Sequence, residues 1–353
     1  MIEIDGSYGS GGGQILRTAC ALSTVTKKPC QVFNIRKSRP KPGLMPQHLL
    51  GIQALSQLCN GRLEGDSLGS EEIKFYPGET YKDRVSVNIP TAGSITLCLQ
   101  SLLPVALFAP SPSQVLQNKI WEGKPVKIFF EGGGTDVPFS PTFDYFRYVF
   151  LKALEKMGAK VEVNILKRGY YPEGGGRAEV KIYPSKLKNL KLIERGQLKK
   201  ILAISSTSEF LQKKKVAERQ ISGIKGILSS LKLPFETRIE YSKTNSPGSS
   251  ICLIAEFEQV IFGSDGLGKL GKSAEEVGRE CALRLLEEEK TKACVDRFLT
   301  DQILPYLALT NQKCQVKIPQ LTLHAKTNVW IIQQFLKGKF EIKDNIIFWI
   351  PFE

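Results

Sequence analysis

The chain has 353 residues, of which 42% are hydrophobic and 24% are charged. This composition indicates a soluble globular protein, and the length favours two domains or a repeated unit over one ordinary core. The formal net charge is +14, from 49 Lys and Arg against 35 Asp and Glu. Such a charge favours a polyanionic partner such as a nucleic acid or a nucleotide, with simple lysine solvation as the alternative.

The cysteines and the apolar segments indicate the cellular compartment of the protein. The eight cysteines form no CxxC pair, which argues against a zinc site, and several lie in apolar runs, as buried reduced thiols do. No secretory signal opens the chain, and the longest apolar stretch, Leu97–Ala109, is too short to span a bilayer. We therefore expect a cytoplasmic protein with no membrane partner.

A glycine-rich loop is the first motif in chain order. It runs from Ser7 to Gln14, follows a short alternating strand at residues 1–6 and opens a helix at about Ile15–Thr26. Backbone N–H groups of such a loop can approach a phosphate closely, and the helix dipole favours negative charge there. The spacing matches neither a Walker A motif nor a dinucleotide-binding motif, so a plain turn is the alternative.

A basic loop, Arg36–His48, is the second motif and follows a strand at Gln31–Ile35. Its first six residues include four cations, and three prolines stiffen the segment. Because the prolines prevent mutually repelling cations from spreading, we expect the loop to bind phosphate. A solvated loop is the alternative. A helix at about Gln47–Leu58 and strands near Arg62–Glu64 and Ile73–Tyr76 follow.

The same order of elements recurs with a period of about 95 residues. The second copy is predicted to contain strands at Val85–Ile89, Val126–Phe130, Lys160–Ile165 and Ala178–Ile182, with helices at Ile95–Ala109 and Phe143–Met157. A third, shifted copy contains a helix around Leu304–Leu309 and a series of elements from Cys314 to Ile350. The stretch Ser185–Gly271 fits neither register, so we interpret it as an inserted α/β subdomain.

His324 is one of only two histidines in the chain. A strand pattern at Cys314–Ile318 precedes it and a helical pattern follows, which predicts a strand-to-helix connection at His324. In the register of the repeats it falls at the position of the basic loop and of Gly132–Asp136, and equivalent loops of packed repeats tend to gather at one end. Imidazole suits covalent catalysis and proton transfer, with a structural histidine as the alternative.

Several stretches match one known family in order and in spacing. They are Gly11–Arg17, Ile35–Arg36, Arg39–Leu44, Pro46–Leu49, Thr91–Ser94, Gly133–Asp136, Tyr171–Gly176, Asp301–Gln302 and the loop around His324. On these residues the chain resembles the RNA 3′-terminal phosphate cyclase family along nearly its whole length. The resemblance implies an α/β fold in which three repeated βαβαββ units form a large domain, at residues 1–184 and 272–353, with a smaller inserted α/β domain at residues 185–271.

The resemblance also implies an ATP-dependent reaction in three steps. His324 would attack the α-phosphate of ATP, releasing pyrophosphate and leaving a histidine–AMP phosphoramidate. AMP would then pass to the 3′-phosphate end of an RNA. The vicinal 2′-hydroxyl would finally close a 2′,3′-cyclic phosphate and expel AMP, which explains a requirement for RNA rather than DNA ends.

The resemblance assigns roles to residues that match the family motifs. The residues implied to bind the nucleotide are Gln14, Arg17, Gln100, Phe298, Asp301 and Gln302, with Pro141 and Tyr145 as flat walls for the base. The residues implied to bind substrate phosphate are Arg36, Arg39, Lys41 and Gln47. His48 is assigned either a structural role or a substrate contact. Helix packing is the alternative for the aromatic residues.

One position departs from the family pattern. Many members have Glu before the triple glycine as a ligand for a divalent metal, Mg²⁺ or Mn²⁺, and this chain has Ser10. A serine hydroxyl is a weak magnesium ligand, so either ATP phosphates and waters hold the metal or another acid such as Asp5 substitutes. The metal ligands therefore stay unassigned. The oligomeric state stays open as well, with a homodimer as one alternative.

Two other functions compete with the cyclase. A non-enzymatic RNA-binding scaffold with the same fold would lack the nucleophilic histidine, so His324 and the basic loop favour the enzyme. An enolpyruvyl transferase built on the same repeats is a weaker alternative, since the lone loop histidine and the inserted domain argue against it.

Overall fold

The computed structural model describes residues 1–108, 124–229 and 234–352. Within these ranges the chain combines helices with four sheets of four strands each, so the predicted mixed α/β class is confirmed. In the described part of the chain, no helix is both long enough and apolar enough to cross a membrane. All eight cysteines are free and buried, as their apolar surroundings in the sequence predict.

The first sheet is built from residues 2–76. Its elements are β1 (Ile2–Asp5), α1 (Gly13–Thr26), β2 (Cys30–Phe33), α2 (Pro46–Cys59), β3 (Arg62–Glu64) and β4 (Ile73–Tyr76). The strands lie in the order β1-β2-β4-β3. β1 and β2 are parallel, whereas β4 is antiparallel to both of its neighbours. The predicted strands at Arg62–Glu64 and Ile73–Tyr76 are confirmed to the residue.

The second sheet has the same strand order and the same pairing directions. Its elements are β5 (Arg84–Ser94), α3 (Ile95–Phe108), β6 (Val126–Gly134), α4, β7 (Lys160–Lys167) and β8 (Arg177–Tyr183). Helix α4 is continuous but changes pitch, with α-helical residues Phe143–Tyr145, a π-helical segment Phe146–Phe150 and α-helical residues Leu151–Lys156. Nearly all of α3 is buried, because this apolar helix packs on α1 and α2. The final residue of the predicted helix Ile95–Ala109 lies outside the described residues.

The remaining elements continue along the chain from β9 (Lys191–Leu192). A sheet with two covering helices follows, formed by β10 (Leu198–Ser208), α5 (Val216–Leu228), β11 (Phe235–Ser242), β12 (Ser249–Phe257), β13 (Ile261–Leu267) and α6 (Ala274–Lys290). Its strand order is β11-β10-β12-β13. The last elements are α7 (Arg297–Leu309), β14 (Cys314–Lys317), α8 (Leu323–Phe335), β15 (Gly338–Lys343) and β16 (Ile346–Pro351). A short 3-10 helix, Glu209–Lys214, separates β10 from α5.

Two elements pack on the other side of the expected domain limits at residues 185 and 271: β9 follows the first limit, and α6 follows the second. β9 pairs with β14 in parallel, through Lys191 with Gln315 and Leu192 with Val316, so it belongs to the sheet of order β15-β16-β14-β9. α6 packs on α5, β12 and β13, so it covers the sheet of the inserted segment although it follows residue 271. Sequence periodicity could not assign these two elements to their sheets. A two-residue strand has no periodic pattern, and α6 is an ordinary amphipathic helix that could cover any sheet.

A buried ion network joins the sheet formed by β10–β13 to the second sheet. Arg168, which follows β7, binds Asp136 at 3.1 Å and Asp144 at 2.9 Å, and all three side chains are almost fully buried. The same guanidinium binds Glu240 of β11 at 2.9 Å. Since a buried charge without its partner is strongly destabilising, these ion pairs fix where the sheet of β10–β13 lies on the second sheet.

Candidate active site

The glycine-rich loop folds into a tight turn against helix α8. Gly9 and Gly11 have positive φ angles of 55° and 54°, a conformation that favours glycine. A Cβ added at Gly9 would lie 2.3 Å from Oγ1 of Thr327, so only glycine permits this approach. At the start of α1, a Cβ added at Gly13 would lie 2.1 Å from the ring of His48. The glycines therefore allow the loop to lie between α8 and α2.

Side chains of α8 hold the loop and α1 in place. The backbone N–H of Ser10 donates to Oγ1 of Thr327 at 3.1 Å, and the hydroxyl of Thr18 donates to Asn328 at 3.0 Å. The rings of Tyr8 and Trp330 stack with their centroids 4.1 Å apart. Residues separated by more than 300 positions thus form one rigid junction, and the candidate site lies at its exposed end.

His324 lies at this junction, directly hydrogen-bonded to Gln14. It is the second residue of α8, whose N-cap is Thr322, so the expected connecting-loop position is wrong: the helix begins one residue before the histidine. The Thr322 hydroxyl accepts the N–H of Ala325 at 3.0 Å and stabilises this early start. Gln14 Nε2 donates to the carbonyl oxygen of His324 at 3.0 Å, and Gln14 Oε1 contacts His324 Nδ1.

These two contacts fix the tautomer of the His324 ring. Because the Gln14 amide nitrogen is engaged with the His324 carbonyl, the atom that faces Nδ1 is the amide oxygen, which can only accept. Nδ1 must therefore carry the proton, and the lone pair of the neutral ring lies on Nε2. His324 as a whole residue is exposed, although its ring is partly buried.

The electrostatics of the site keep both histidines neutral. Partial burial, together with the positive charges of Arg17 and Arg39, lowers the pKa of His324 below its ordinary value of 6.5. Burial and the charges of Arg17 and Arg36 lower the pKa of His48 to about 3. His48 is buried, and its Nδ1 accepts the N–H of Met45 at 3.3 Å. The two roles expected of His48 thus reduce to the structural one.

Arg17 is the cation at the centre of the site. Burial lowers its pKa to about 10, against the opposing influence of Asp301. Burial raises the pKa of Asp301 to about 7, helped by Asp296 and opposed by Arg17. No ion pair within 4.0 Å joins Arg17 to any described residue, Asp301 included. Arg17 is therefore a partly accessible cation that forms no ion pair with a described residue.

The basic loop meets the glycine-rich loop through Arg39. Its guanidinium donates to the carbonyl oxygen of Ser10 at 2.8 Å. Arg36 instead binds its own loop, donating from Nη1 to the carbonyls of Lys41 at 2.6 Å and Gly43 at 3.1 Å. Lys41 is exposed. The structure thus brings Arg39 to the His324 site, while Arg36 shapes the backbone that carries Lys41.

Gln47, Gln100 and Pro141 lie along the edge formed by α2, α3 and the start of α4. Gln47 is exposed in the first turn of α2 and lies against Gly93. A Cβ added at Gly93 would be 3.3 Å from the Cβ of Gln47. Pro141 accepts a 2.9 Å hydrogen bond from Thr96, one turn before Gln100 on α3. Both Gln100 and Pro141 are partly exposed, which leaves them available to a ligand.

The start of α7 supplies the other nucleotide-binding positions expected from the sequence. Phe298 exposes 51% of its surface, so its ring has a free face. Gln302 is only partly exposed, and its Oε1 is buried without a hydrogen-bond partner among the described residues. An unsatisfied buried acceptor is costly unless a ligand or water donates to it. Asn328 of α8 donates to the carbonyl of Asp301 at 2.8 Å, which links this helix to the histidine-bearing helix.

Tyr145 cannot form a wall for the adenine base. Its side chain is 1% exposed, and its hydroxyl donates to Asp296 at 2.7 Å. Asp296 also caps α7, accepting the N–H groups of Phe298 at 2.9 Å and Leu299 at 2.8 Å. Tyr145 therefore positions the start of α7 from within the core, and the expected stacking role is wrong because no ring face reaches the surface.

The sequence leaves the metal ligands unassigned, with Ser10 and Asp5 as the positions considered. The Ser10 hydroxyl is buried without a partner, but Asp5 already accepts hydrogen bonds from Ser7 at 2.9 and 2.7 Å and from Asn34 at 3.2 Å. Although burial raises it, these bonds lower the pKa of Asp5, so this acid is the cap of the glycine-rich turn. Among the described residues, no cluster of three His, Cys, Asp or Glu side chains could hold a metal ion.

Sequence reasoning missed the residues that join the loop to α8. Thr327 and Asn328 follow His324 at helical spacing, and Tyr8 precedes the glycines, but a sequence alone gives no reason to pair them. The one available signal was the spacing: positions three and four residues after a histidine in a helix lie on the same face.

Comparisons with known proteins show which family the chain belongs to. A family model described as RNA 3′-terminal phosphate cyclase matches residues 8–342. The RNA 3′-terminal phosphate cyclase of Pyrococcus furiosus is 46% identical over 347 residues, which cover 98% of this chain and 96% of the relative. The cyclase of Thermococcus kodakarensis is 44% identical, with 98% and 95% covered, and that of Sulfolobus acidocaldarius is 42% identical, with 98% of both chains covered. The resemblance seen in the sequence is confirmed, and the chain belongs to the RNA 3′-terminal phosphate cyclase family.

Proposed function

We propose that this protein converts an RNA 3′-terminal phosphate into a 2′,3′-cyclic phosphodiester in an ATP-dependent reaction that releases AMP and pyrophosphate. The observation that carries the proposal is the His324–Gln14 pair, which directs the lone pair of an exposed, neutral imidazole outward beside Arg17 and Arg39. A nucleophile of this kind needs its free lone pair on the ligand side and cations nearby for the phosphates.

In the first step, Nε2 of His324 attacks the α-phosphorus of ATP. The N–P bond forms and the P–O bond to pyrophosphate breaks. Nδ1 keeps its proton, which stays hydrogen-bonded to the amide oxygen of Gln14. The ring gains positive charge in this step, and the Gln14 amide oxygen stabilises it by accepting from Nδ1–H. Arg17, Arg39 and Lys41 supply positive charge for the departing pyrophosphate, since phosphoryl transfer depends mainly on positioning and on charge neutralisation.

In the second step, His324 is the leaving group, and in the third step AMP is the leaving group. An oxygen of the RNA 3′-phosphate attacks the phosphorus of the histidine-bound AMP, the N–P bond breaks, and the ring returns to neutral. The 2′-oxygen of the terminal ribose then attacks the 3′-phosphorus, its proton passes to solvent water, and the P–O bond to AMP breaks. Gln47 and the exposed part of the basic loop are the groups that we assign to the RNA phosphate.

The adenosine would bind between the starts of α4 and α7. Phe298 offers an exposed ring, Gln302 an unsatisfied acceptor for the amino group of adenine, and Gln100 and Pro141 the facing surface. Asp301 is close enough to Arg17 for each to shift the pKa of the other, so a carboxyl group lies near the cation that we assign to the phosphates.

The donor set near the loop fits a divalent cation, Mg²⁺ or Mn²⁺, only weakly. The unpartnered hydroxyl of Ser10 is one available oxygen, and Asp5 is already engaged in capping the loop. A bound cation would neutralise phosphate charge, and its other ligands would be phosphate oxygens and waters.

The sheet pairings support the finer fold proposal, three βαβαββ units with an inserted α/β domain. The three sheets β1–β4, β5–β8 and β9 with β14–β16 share one strand order and one set of strand directions. The pairing of β9 with β14 favours an insertion that begins after β9 and ends with α6.

The test is the mapping of AMP on the protein. Incubation with labelled ATP and a divalent cation should label the wild type, and mass spectrometry should place the added AMP on His324. The variant His324→Ala should take up no label, whereas the control Lys326→Ala, an exposed neighbour on the same helix, should label as the wild type does. Absence of any adduct with Mg²⁺ or Mn²⁺, together with salt-sensitive RNA binding, would instead favour a non-enzymatic scaffold.

A further inference from the structure

One edge of the inserted sheet carries an exposed basic and aromatic surface that the catalytic steps do not use. Ser208 at the end of β10 is the register partner of Ser242 at the end of β11, so the segments that follow both strands leave at the same edge. The segment after β13 leaves there too, because Gly268 donates to the carbonyl of Ser249 at 2.8 Å. We call this surface the insert edge. Its members are Phe210, Lys213, Lys214, Lys215, Lys243 and Lys269.

The cations of the insert edge are unpaired, in contrast to those at the opposite edge. None of the five lysines takes part in an ion pair with a described residue, and all five are exposed. At the start of β10, by comparison, Lys199 pairs with Glu258 at 2.8 Å and Lys200 with Glu236 at 3.2 Å. Five unpaired cations on three neighbouring loops repel one another, and an anionic ligand would relieve this repulsion.

An aromatic ring accompanies these cations. Phe210 exposes 64% of its surface on the 3-10 helix that leads to Lys213–Lys215. A lysine cluster with an exposed aromatic ring is the combination that binds single-stranded nucleic acid, because the cations follow the phosphates and the ring stacks on a base. A purely electrostatic surface for an acidic polypeptide would have no use for the ring.

The insert edge connects to the candidate active site through the loop that carries Tyr171. This ring exposes 67% of its surface. Its loop contacts the segment after β11, since Glu173 donates its N–H to Ser246 at 3.1 Å. On its other side, Gly176 donates to Gly133 at 2.8 Å, and Gly133 and Gln47 both lie against Gly93. A chain of contacts thus links Gln47 to the segment that follows β11, and the exposed ring of Tyr171 lies on the loop between them.

We propose that the insert edge binds the single-stranded RNA upstream of the reacting 3′ end, with Tyr171 and Phe210 stacking on bases and the lysines contacting phosphates. This inference rests on the proposed function, because it assigns a path to the same RNA whose end meets His324. It makes the affinity for RNA depend on length: an end of a few nucleotides reaches only the active site, whereas a longer strand also reaches the lysines.

The experiment compares 3′-phosphorylated RNAs of about 4 and about 16 nucleotides, a range that covers typical single-strand site sizes, by fluorescence anisotropy without ATP. The wild type should bind the longer RNA more tightly. Phe210→Ala should lower the affinity for the long RNA about tenfold, as the loss of one stacked base does. The combined variant Lys213→Ser/Lys214→Ser/Lys215→Ser should lose most of the length dependence. Its slope of log affinity against log salt should become shallower by about 2.

A matched control removes the same charge elsewhere. Lys186, Lys188 and Lys225 are exposed, form no ion pairs with described residues and lie outside the insert edge. Their combined replacement by serine should leave the length dependence intact. Equal losses in both triple variants, or an unchanged ratio of the two affinities in the insert-edge variant, would overturn the inference. So would competition by poly-glutamate as effective as that by unlabelled RNA, which would identify an acidic polypeptide as the ligand.

AMP labelling of the same preparations separates this inference from the proposed function. A wild type that binds long RNA preferentially but takes up no AMP would refute the proposed function and support the RNA path. A wild type that is labelled on His324 but binds both RNAs equally would refute the RNA path alone.

Discussion

The proposed control of the His324 tautomer by Gln14 can be tested with two substitutions of similar size. Gln14→Leu removes both the acceptor for Nδ1–H and the donor to the His324 carbonyl. The ring is then free to place its proton on Nε2, where it blocks the attack. Gln14→Glu keeps an acceptor for Nδ1–H and removes only the donor, so the tautomer is retained.

The size of the effect follows from the two hydrogen bonds. Each contributes about 1 kcal/mol in a partly exposed site. If both act in the transition state, Gln14→Leu slows adenylylation about 30-fold. The carboxylate of Gln14→Glu also favours the imidazolium form and raises the pKa of His324, which the wild-type site holds below 6.5. Its rate should therefore approach that of the wild type at pH 8 and fall as the pH decreases through 7.

The assay is rapid-quench transfer of labelled AMP to the protein from pH 5.5 to 8.5. The quench must be alkaline, because the N–P bond of a phosphoramidate hydrolyses in acid. The wild type should lose activity only below pH 6.5, Gln14→Glu at a higher pH, and Gln14→Leu should be slow throughout. A wild-type rate in Gln14→Leu, or identical pH profiles for the two variants, would refute the assigned tautomer.

Three further predictions concern buried charges. Because the pKa of Asp301 is raised from 3.8 to about 7, the folded state loses stability as the pH rises between these values. Asp301→Asn should therefore raise the melting temperature at pH 8 but not at pH 3.5, while weakening ATP binding. An equal change in melting temperature at both pH values would contradict the raised pKa of Asp301. Tyr145→Phe should cost about 2 kcal/mol in unfolding free energy, measured with denaturant, through loss of the hydrogen bond to Asp296, and an unchanged unfolding free energy would contradict this role. Arg168→Met should cost about 3–5 kcal/mol, because three carboxylates lose their partner, whereas Arg177→Met, which breaks an exposed ion pair, should cost less than about 1 kcal/mol; equal losses would disprove the network's role.

Local patterns predicted most elements but not their partners. The strands Arg62–Glu64 and Ile73–Tyr76 follow from alternation bounded by turn residues, and the helix of α3 follows from its apolar run, since these signals act between near neighbours. The partner of β9 could not be predicted, because it is separated from β14 by more than 100 residues and carries only two paired positions.

The same distinction applies to the site. The types of the polar groups could be inferred from the sequence: in the structure His324 contacts Gln14, and the charges of Arg17 and Arg39 act on its ring. Burial could not be inferred, and this is why Tyr145, which matches a surface role by residue type, lies in the core as a hydrogen-bond donor. The family resemblance supplied the positions, and only the three-dimensional structure assigned the tautomer.

The hydrogen bonds between Gln14 and His324 join residues 310 positions apart. During synthesis on a ribosome, the glycine-rich segment emerges long before its histidine partner, so under the proposed function a nascent chain would not react with ATP until α8 has docked. Closing so wide a loop is slow compared with forming the local helices and hairpins. We therefore expect reactivity with ATP to appear as the last event of refolding, after the far-ultraviolet circular dichroism has already reached its native value.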